Sequence, residues 1–298
     1  MGSKLKFFLC TIFIAVCAFK YSICQGQVVN DSKPKDCKLC IGGVHNSFRP
    51  YVLTLKKELP FLAAGITVSA ASLIYGHAVN LKPLTEEQIL NLDTDDIPSI
   101  DRSAANNNSK AARKTSDFLR TSITLVPLYF LSNHNNRKDF LRLSVMAAEV
   151  FALTYGVTVI TKNLVRRTRP FAYNSDIPIE KKGGSKVRKS FFSGHTSHTA
   201  AMSFFGAKVM HDYHPNATKG FKIALWSFSS IIPATTAFLR VRAGKHFPTD
   251  VITGYLLGAS IGFIVPHMHL KKERKDNGLT VFPLFYRSTT GLSMVYRL

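Results

Sequence analysis

The sequence predicts an all-α helical bundle of about six core helices, closed by a short C-terminal β-hairpin. Three observations carry this. Apolar stretches of helical length recur from residue 59 to residue 270. Between them lie short polar or basic loops. The last residues, "VFPLFYRSTTGLSMVYRL", alternate instead, with a turn expected at Thr290–Gly291.

The elements follow in order. Residues 1–24 have the layout of a secretory signal peptide: Lys4 and Lys6, an apolar run from Phe7 to Phe19, then small residues near Ser22, with cleavage expected near Cys24. Residues 25–58 form a polar, basic segment. It holds Cys37 and Cys40, the two cysteines of the mature chain, and an exported chain favours a local disulfide between them. Residues 59–79 are an apolar helix of nearly membrane-spanning length.

Residues 81–117 are a polar insert. Asp93, Asp95, Asp96 and Asp101 hint at calcium, but a loop starting at Asp93 would need Gly and Glu where Pro98 and Ala104 stand. A solvated loop is the expectation. Helices are then expected at 118–133, 140–161, 198–212, 221–239 and 250–270, followed by a tail at 271–298.

The lengths allow membrane spans. A mean hydropathy of only +0.05, with Glu149, His198 and Lys208 inside the helices, argues that not all of them span. A buried bundle in a soluble protein has the same pattern. Basic loops at 133–142, 211–222 and 271–275 belong in the cytoplasm by the positive-inside rule. That puts the opposite ends of the helices outside. A cleaved leader followed by three spans gives the reverse, and the sequence leaves the topology open.

Net charge is 39 − 18 = +21, which suits an anionic partner such as a phospholipid surface or a phosphorylated substrate. Nucleic acid is set aside: there is no zinc-finger spacing, no RNA-binding signature, and the apolar runs are long.

Three clusters stand at helix ends. "KNLVRRTRP" supplies Lys162 and Arg169. "FFSGHTS" supplies Ser193, Gly194 and His195. "RVRAGKHFPTD" supplies Arg240, His246 and Asp250. Arginine offers a planar fork to phosphate oxygens and lysine a point charge. Ser193 and Gly194 precede a helix, whose first N–H groups and dipole favour an anion. Asp250, four residues after His246, can orient the imidazole and leave the other ring nitrogen to attack. His195 has no such carboxylate nearby in sequence and suits a general acid.

These clusters resemble the three motifs of the type 2 phosphatidic acid phosphatase superfamily, which includes bacterial class A acid phosphatases and vanadium haloperoxidases. The spacing within each motif holds. Phe192 stands where the family has Pro, and Leu239 where it has Ser. The resemblance covers roughly residues 118–270. It implies a helical bundle and hydrolysis of phosphomonoesters or diphosphates without a metal or other cofactor. It also implies a phosphohistidine at His246, oriented by Asp250, with His195 protonating the leaving group. Lys162, Arg169, Arg240, Ser193 and Gly194 would hold the phosphoryl group.

A membrane lipid phosphate is the favoured substrate and a membrane the expected partner. The site would lie on the exoplasmic side of the cell envelope. The alternatives are a secreted acid phosphatase acting on small soluble phosphoesters, a vanadium-dependent haloperoxidase, and a catalytically dead binding protein.

Overall fold

The computed structural model describes residues 50–52, 83–130 and 139–271, single residues between 63 and 75, Arg137, and two strands near the C-terminus. The leader 1–24, nearly all of the polar segment 25–58, Cys37 with Cys40, and most of the expected helix 59–79 lie outside the described residues.

Among the described residues there are eight α-helices: α1 (Glu86–Leu90), α2 (Ser99–Arg102), α3 (Lys110–Ile123), α4 (Val126–Tyr129), α5 (Phe140–Val165), α6 (Gly194–Tyr213), α7 (Lys219–Arg242) and α8 (Pro248–Met268). The all-α expectation holds for this core. Strands β1 (Leu279–Tyr286) and β2 (Thr289–Tyr296) pair antiparallel. Thr290 and Gly291 pair with Phe285 and Leu284. The expected turn at Thr290–Gly291 is therefore corrected: both residues belong to β2 and its ladder.

The insert 81–117 is also corrected. From residue 83 on it is largely exposed, as expected, but it forms short helices rather than a loop. Thr85 caps α1 with a reciprocal bond to Gln88. Asp93 caps a short turn at Thr94–Asp96, and Asp101 is fully buried. Helix α3 begins inside the insert, capped by Ser109, and breaks at Thr124 and Leu125 before α4. Its inward face is made of Ala112, Ser116 and Leu119. Small residues such as these give little apolar periodicity, which is why the sequence pattern placed the helix at 118–133.

Helix α6 is the central strut, buried on all sides, and its core neighbours are Phe130, Leu143, Met146 and Val150. It packs backbone to backbone on α8. Gly254, Gly258 and Gly262 recur every fourth residue, and a Cβ at each would lie 2.7, 2.1 and 2.1 Å from the carbonyl oxygens of Ser193, Ser197 and Ala201. Any side chain there would push the two helices apart. This seam fixes the start of α6 against the start of α8.

Helices α7 and α8, and the segment Phe140–Ala172 that contains α5, are long and apolar enough to cross a membrane. They expose large apolar side chains outward, among them Leu141, Phe151, Leu164, Ile223, Ile231, Phe238, Leu256 and Ile264. An apolar belt of this kind needs a nonaqueous neighbour.

Candidate active site

The site forms where α5 and α7 end and α6 and α8 begin. Helix α5 stops because Arg166 turns left-handed, at φ 53°, with its N–H bonded to the Lys162 carbonyl. The chain then leads Arg169 into a short turn begun by Pro170. Ser193 caps α6 by accepting the Thr196 N–H at 3.3 Å. The helix thus starts at Gly194, four residues earlier than the apolar pattern suggested. Pro248 opens α8 at its first turn, and the Asp250 carboxylate accepts the Phe247 N–H at 3.0 Å.

The structure brings all eight expected residues together. The Ser193 N–H donates to the Asp250 carbonyl at 3.0 Å. A Cβ on Gly194 would meet Lys162 Cε at 3.8 Å and Thr158 Cγ2 at 3.0 Å. Burial, and then the charges of Lys162, Arg169, Arg240 and His195, push the His246 imidazole well below its ordinary pKa. His246 is therefore neutral at neutral pH, the form a nucleophile requires.

The cations differ in how they are engaged. Lys162 Nζ donates to the carbonyls of Lys189 (2.9 Å), Ser190 (3.1 Å) and Phe192 (2.6 Å), bracing the loop before α6. Arg169 donates from Nη2 to the Lys189 carbonyl at 3.3 Å. Arg240 donates from Nη1 to Asp117 at 3.1 Å and to Ser116 at 3.4 Å. The Nε groups of both arginines are buried without an acceptor. Buried guanidinium N–H groups of this kind are costly unless an oxyanion meets them.

Asp250 lies beside His246, but not as the spacing suggested. Its Oδ2 is 3.6 Å from His246 Nδ1, too far for a hydrogen bond, and that nitrogen has no partner. The carboxylate is instead held by Arg167 (2.7 Å), Ser190 (2.5 Å) and the Phe247 N–H. Ligand-free sites often hold such contacts loosely.

The carboxylate that His195 lacks nearby in sequence comes from α3. His195 Nε2 lies 2.9 Å from Asp117 Oδ1, the same oxygen that accepts from Arg240. Burial, Arg240, Arg120, Arg169 and Lys162 together outweigh that carboxylate and hold the imidazole down at about 2.

Sequence reasoning missed a second layer. Arg167 Nη2 bonds Asp101 at 2.7 Å, while Asp101 accepts the N–H and hydroxyl of Thr249 at 2.9 and 2.6 Å. The Arg167 guanidinium lies 4.1 Å from the centre of the Phe247 ring. Arg167 stands in plain view inside "KNLVRRTRP", but nothing local marks Asp101 as its neighbour, or Asp117 as that of Arg240 and His195. Among the described residues no three or more His, Cys, Asp or Glu side chains form a metal-binding group.

Taken together, the fold and the site define a helical protein with a cluster of cations around a neutral, buried histidine. The model of the PAP2 superfamily matches residues 144–274. Decaprenylphosphoryl-5-phosphoribose phosphatase of Mycobacterium tuberculosis, from strains CDC 1551 / Oshkosh and ATCC 25618 / H37Rv, is 30% identical over 127 residues. That alignment covers 41% of this chain and 59% of the relatives, so the chain spans less than two thirds of their length. A transmembrane PAP2 type phosphatidylglycerolphosphate phosphatase from Bacillus subtilis, solved by crystallography, is 19% identical with a TM-score of 0.44, over 70% of this chain and 98% of that one.

Proposed function

We propose that the protein is a phosphatase that hydrolyses a phosphomonoester or diphosphate of a membrane lipid through a phosphohistidine on His246. The observation that carries this reading is the convergence of Lys162, Arg169 and Arg240 on a buried, neutral His246 with a carboxylate close to its Nδ1.

In the first step His246 Nε2 attacks phosphorus, and the bond from phosphorus to the leaving oxygen breaks. His195 gives its proton to that oxygen. In the second step water attacks the phosphohistidine, His195 accepts the water proton, and the P–N bond breaks to release phosphate. Lys162, Arg169, Arg240 and the first N–H groups of α6 offset the charge on the phosphoryl oxygens in both transition states. A bound phosphoryl dianion also counters the cations that hold His195 down, and so raises its pKa toward the range where it carries a proton. Asp117 fixes the ring and Asp250 stabilises the imidazolium-like charge on His246.

The apolar belt of α5, α7 and α8 supports a lipid substrate. The relatives' name, a phosphatase of a decaprenyl-linked phosphoribose, supports a phosphoester carried on a lipid. The basic loops at the far helix ends support a site on the exoplasmic face.

The test is phosphate release by detergent-purified full-length protein in EDTA, offering phosphatidate, a polyprenyl diphosphate and an aryl phosphate, with His246→Ala alongside. The expected result is faster release from the lipids and none from the variant. Faster release from the aryl phosphate would instead mark a soluble-ester phosphatase. Activity in His246→Ala close to wild type would remove His246 from the nucleophile role.

A further inference from the structure

The cation cluster is larger than one phosphoryl group needs. Lys245, next to His246 in the chain, adds a fourth cation, with Arg169, Arg113 and Arg240 as its charged neighbours. It forms no ion pair among the described residues. Its Nζ lies 4.1 Å from the centre of the Phe171 ring. The carboxylate that acts on it, Asp117, is already engaged by Arg240 and His195, and its other oxygen lies 4.0 Å from Arg113 Nε.

The loop that carries Lys245 is rigid. The Phe171 N–H donates to the Gly244 carbonyl at 3.0 Å, and the Lys245 N–H to the Arg240 carbonyl at 3.1 Å. Gly244 sits at φ 63°, and a Cβ there would be 2.0 Å from the Asn107 carbonyl oxygen, so glycine is required. Phe171 follows Arg169 and Pro170 directly. The half-buried Lys245 ammonium thus lies on the ring two residues after Arg169, while its own backbone is tied to Arg240. Arg113 and Arg120 stand on α3 alongside, and their charges act on Arg240. Burial and then Arg169, Arg113 and Arg240 lower Lys245 to about 8. A nearby anion would relieve this repulsion.

Resting on the phosphatase reading, we propose that Lys245, with Arg113, forms a second anion subsite beside the phosphoryl pocket, and that the substrate carries a second oxyanion next to the scissile phosphoryl group. Two sources share that chemistry: a diphosphate ester, and a phosphate monoester with a neighbouring carboxylate.

The test is calorimetric binding to the full chain in detergent, with inorganic phosphate, methylenediphosphonate (which does not hydrolyse) and 2-phosphoglycerate. Wild type should bind one of the two larger anions about tenfold or more tightly than phosphate, and which one identifies the source. Lys245→Met keeps the stem on Phe171 and removes the charge, so that ratio should collapse toward one. Lys245→Arg should preserve it. If Lys245→Met does not fold, the exposed Arg113→Gln reads the same ratio and should lower it. A wild-type ratio near one, or a ratio unchanged in the neutral variants, overturns the subsite. The binding ratio present without any phosphate release from any ester would overturn the phosphatase reading and leave the subsite standing.

Discussion

The two ends of the helical bundle both bury charged groups, and they do so differently. At the far end the charges close on one another. Lys208 meets Asp212 at 2.6 Å, and Tyr51 donates to the same carboxylate. Arg142 and Tyr213 hold Asp139 at 2.8 Å, and His269 lies 3.3 Å from Glu149. At the motif end Asp101, Asp117 and Asp250 are shared among Arg167, Arg240, His195, Ser190 and Thr249, yet cations remain in excess around His246. Balanced burial ties helices together. Unbalanced burial of one sign is stable only if an ion of the other sign completes it. The comparison separates polar groups that hold the fold from polar groups placed for chemistry.

The largest break in that comparison is His246→Ala. Turnover should fall by roughly 10⁴-fold or more, because the attacking atom is gone. Phosphate binding, measured by calorimetry, should persist because the cations remain. Next comes Arg240→Lys, which keeps charge and loses the fork. It should lower kcat by about 10²-fold, read from steady-state kinetics on the best lipid substrate.

Asp117→Asn is expected to lower kcat by about tenfold to a hundredfold while changing KM less, since it acts through His195 and Arg240. At the far end Lys208→Met should do the opposite. It strands Asp212 and costs about 3 kcal/mol of stability in denaturant unfolding, while kcat of the folded fraction stays at the wild-type value. Loss of kcat there, with stability intact, would erase the distinction between the two ends.

The smallest effect concerns pH. His195 and His246 have folded-state pKa values below the unfolded value of about 6.5. The unfolded chain therefore binds more protons below that value, and stability falls with falling pH. Their contribution is complete above about pH 6.5. It erodes on acidification, for His195 across the window down to about 2. Saturating phosphate should shift the acid unfolding midpoint downward, since bound anion protects the folded form. No shift would mean that phosphate does not bind where these histidines lie.

Much of this site was legible in the sequence because its parts are local. Lys162 with Arg169, and Arg240 with His246 and Asp250, sit within single helix junctions, where spacing alone places them on one side. Asp117 and Asp101 were not legible. Asp117 reaches His195 across 78 residues and Asp101 reaches Thr249 across 148. Only the packing of α3 and the folded insert against α7 and α8 brings them in. The insert is exposed at Asp93, Asp95 and Asp96 as its composition suggests, but Asp101 is buried, and nothing in its own neighbourhood marks it. The start of α6 was misplaced for a related reason: Ser193 and Gly194 are polar or small, so capping, not apolar periodicity, sets the helix end.

The most direct test of the central claim is to trap the intermediate. Full-length protein would be mixed with phosphatidate labelled in its phosphate, quenched in base within milliseconds, and the labelled peptide mapped. The account predicts label on His246, stable in base and lost in acid, and absent from His246→Asn. Label on another residue, or phosphate release with no labelled protein at any time point, would contradict it.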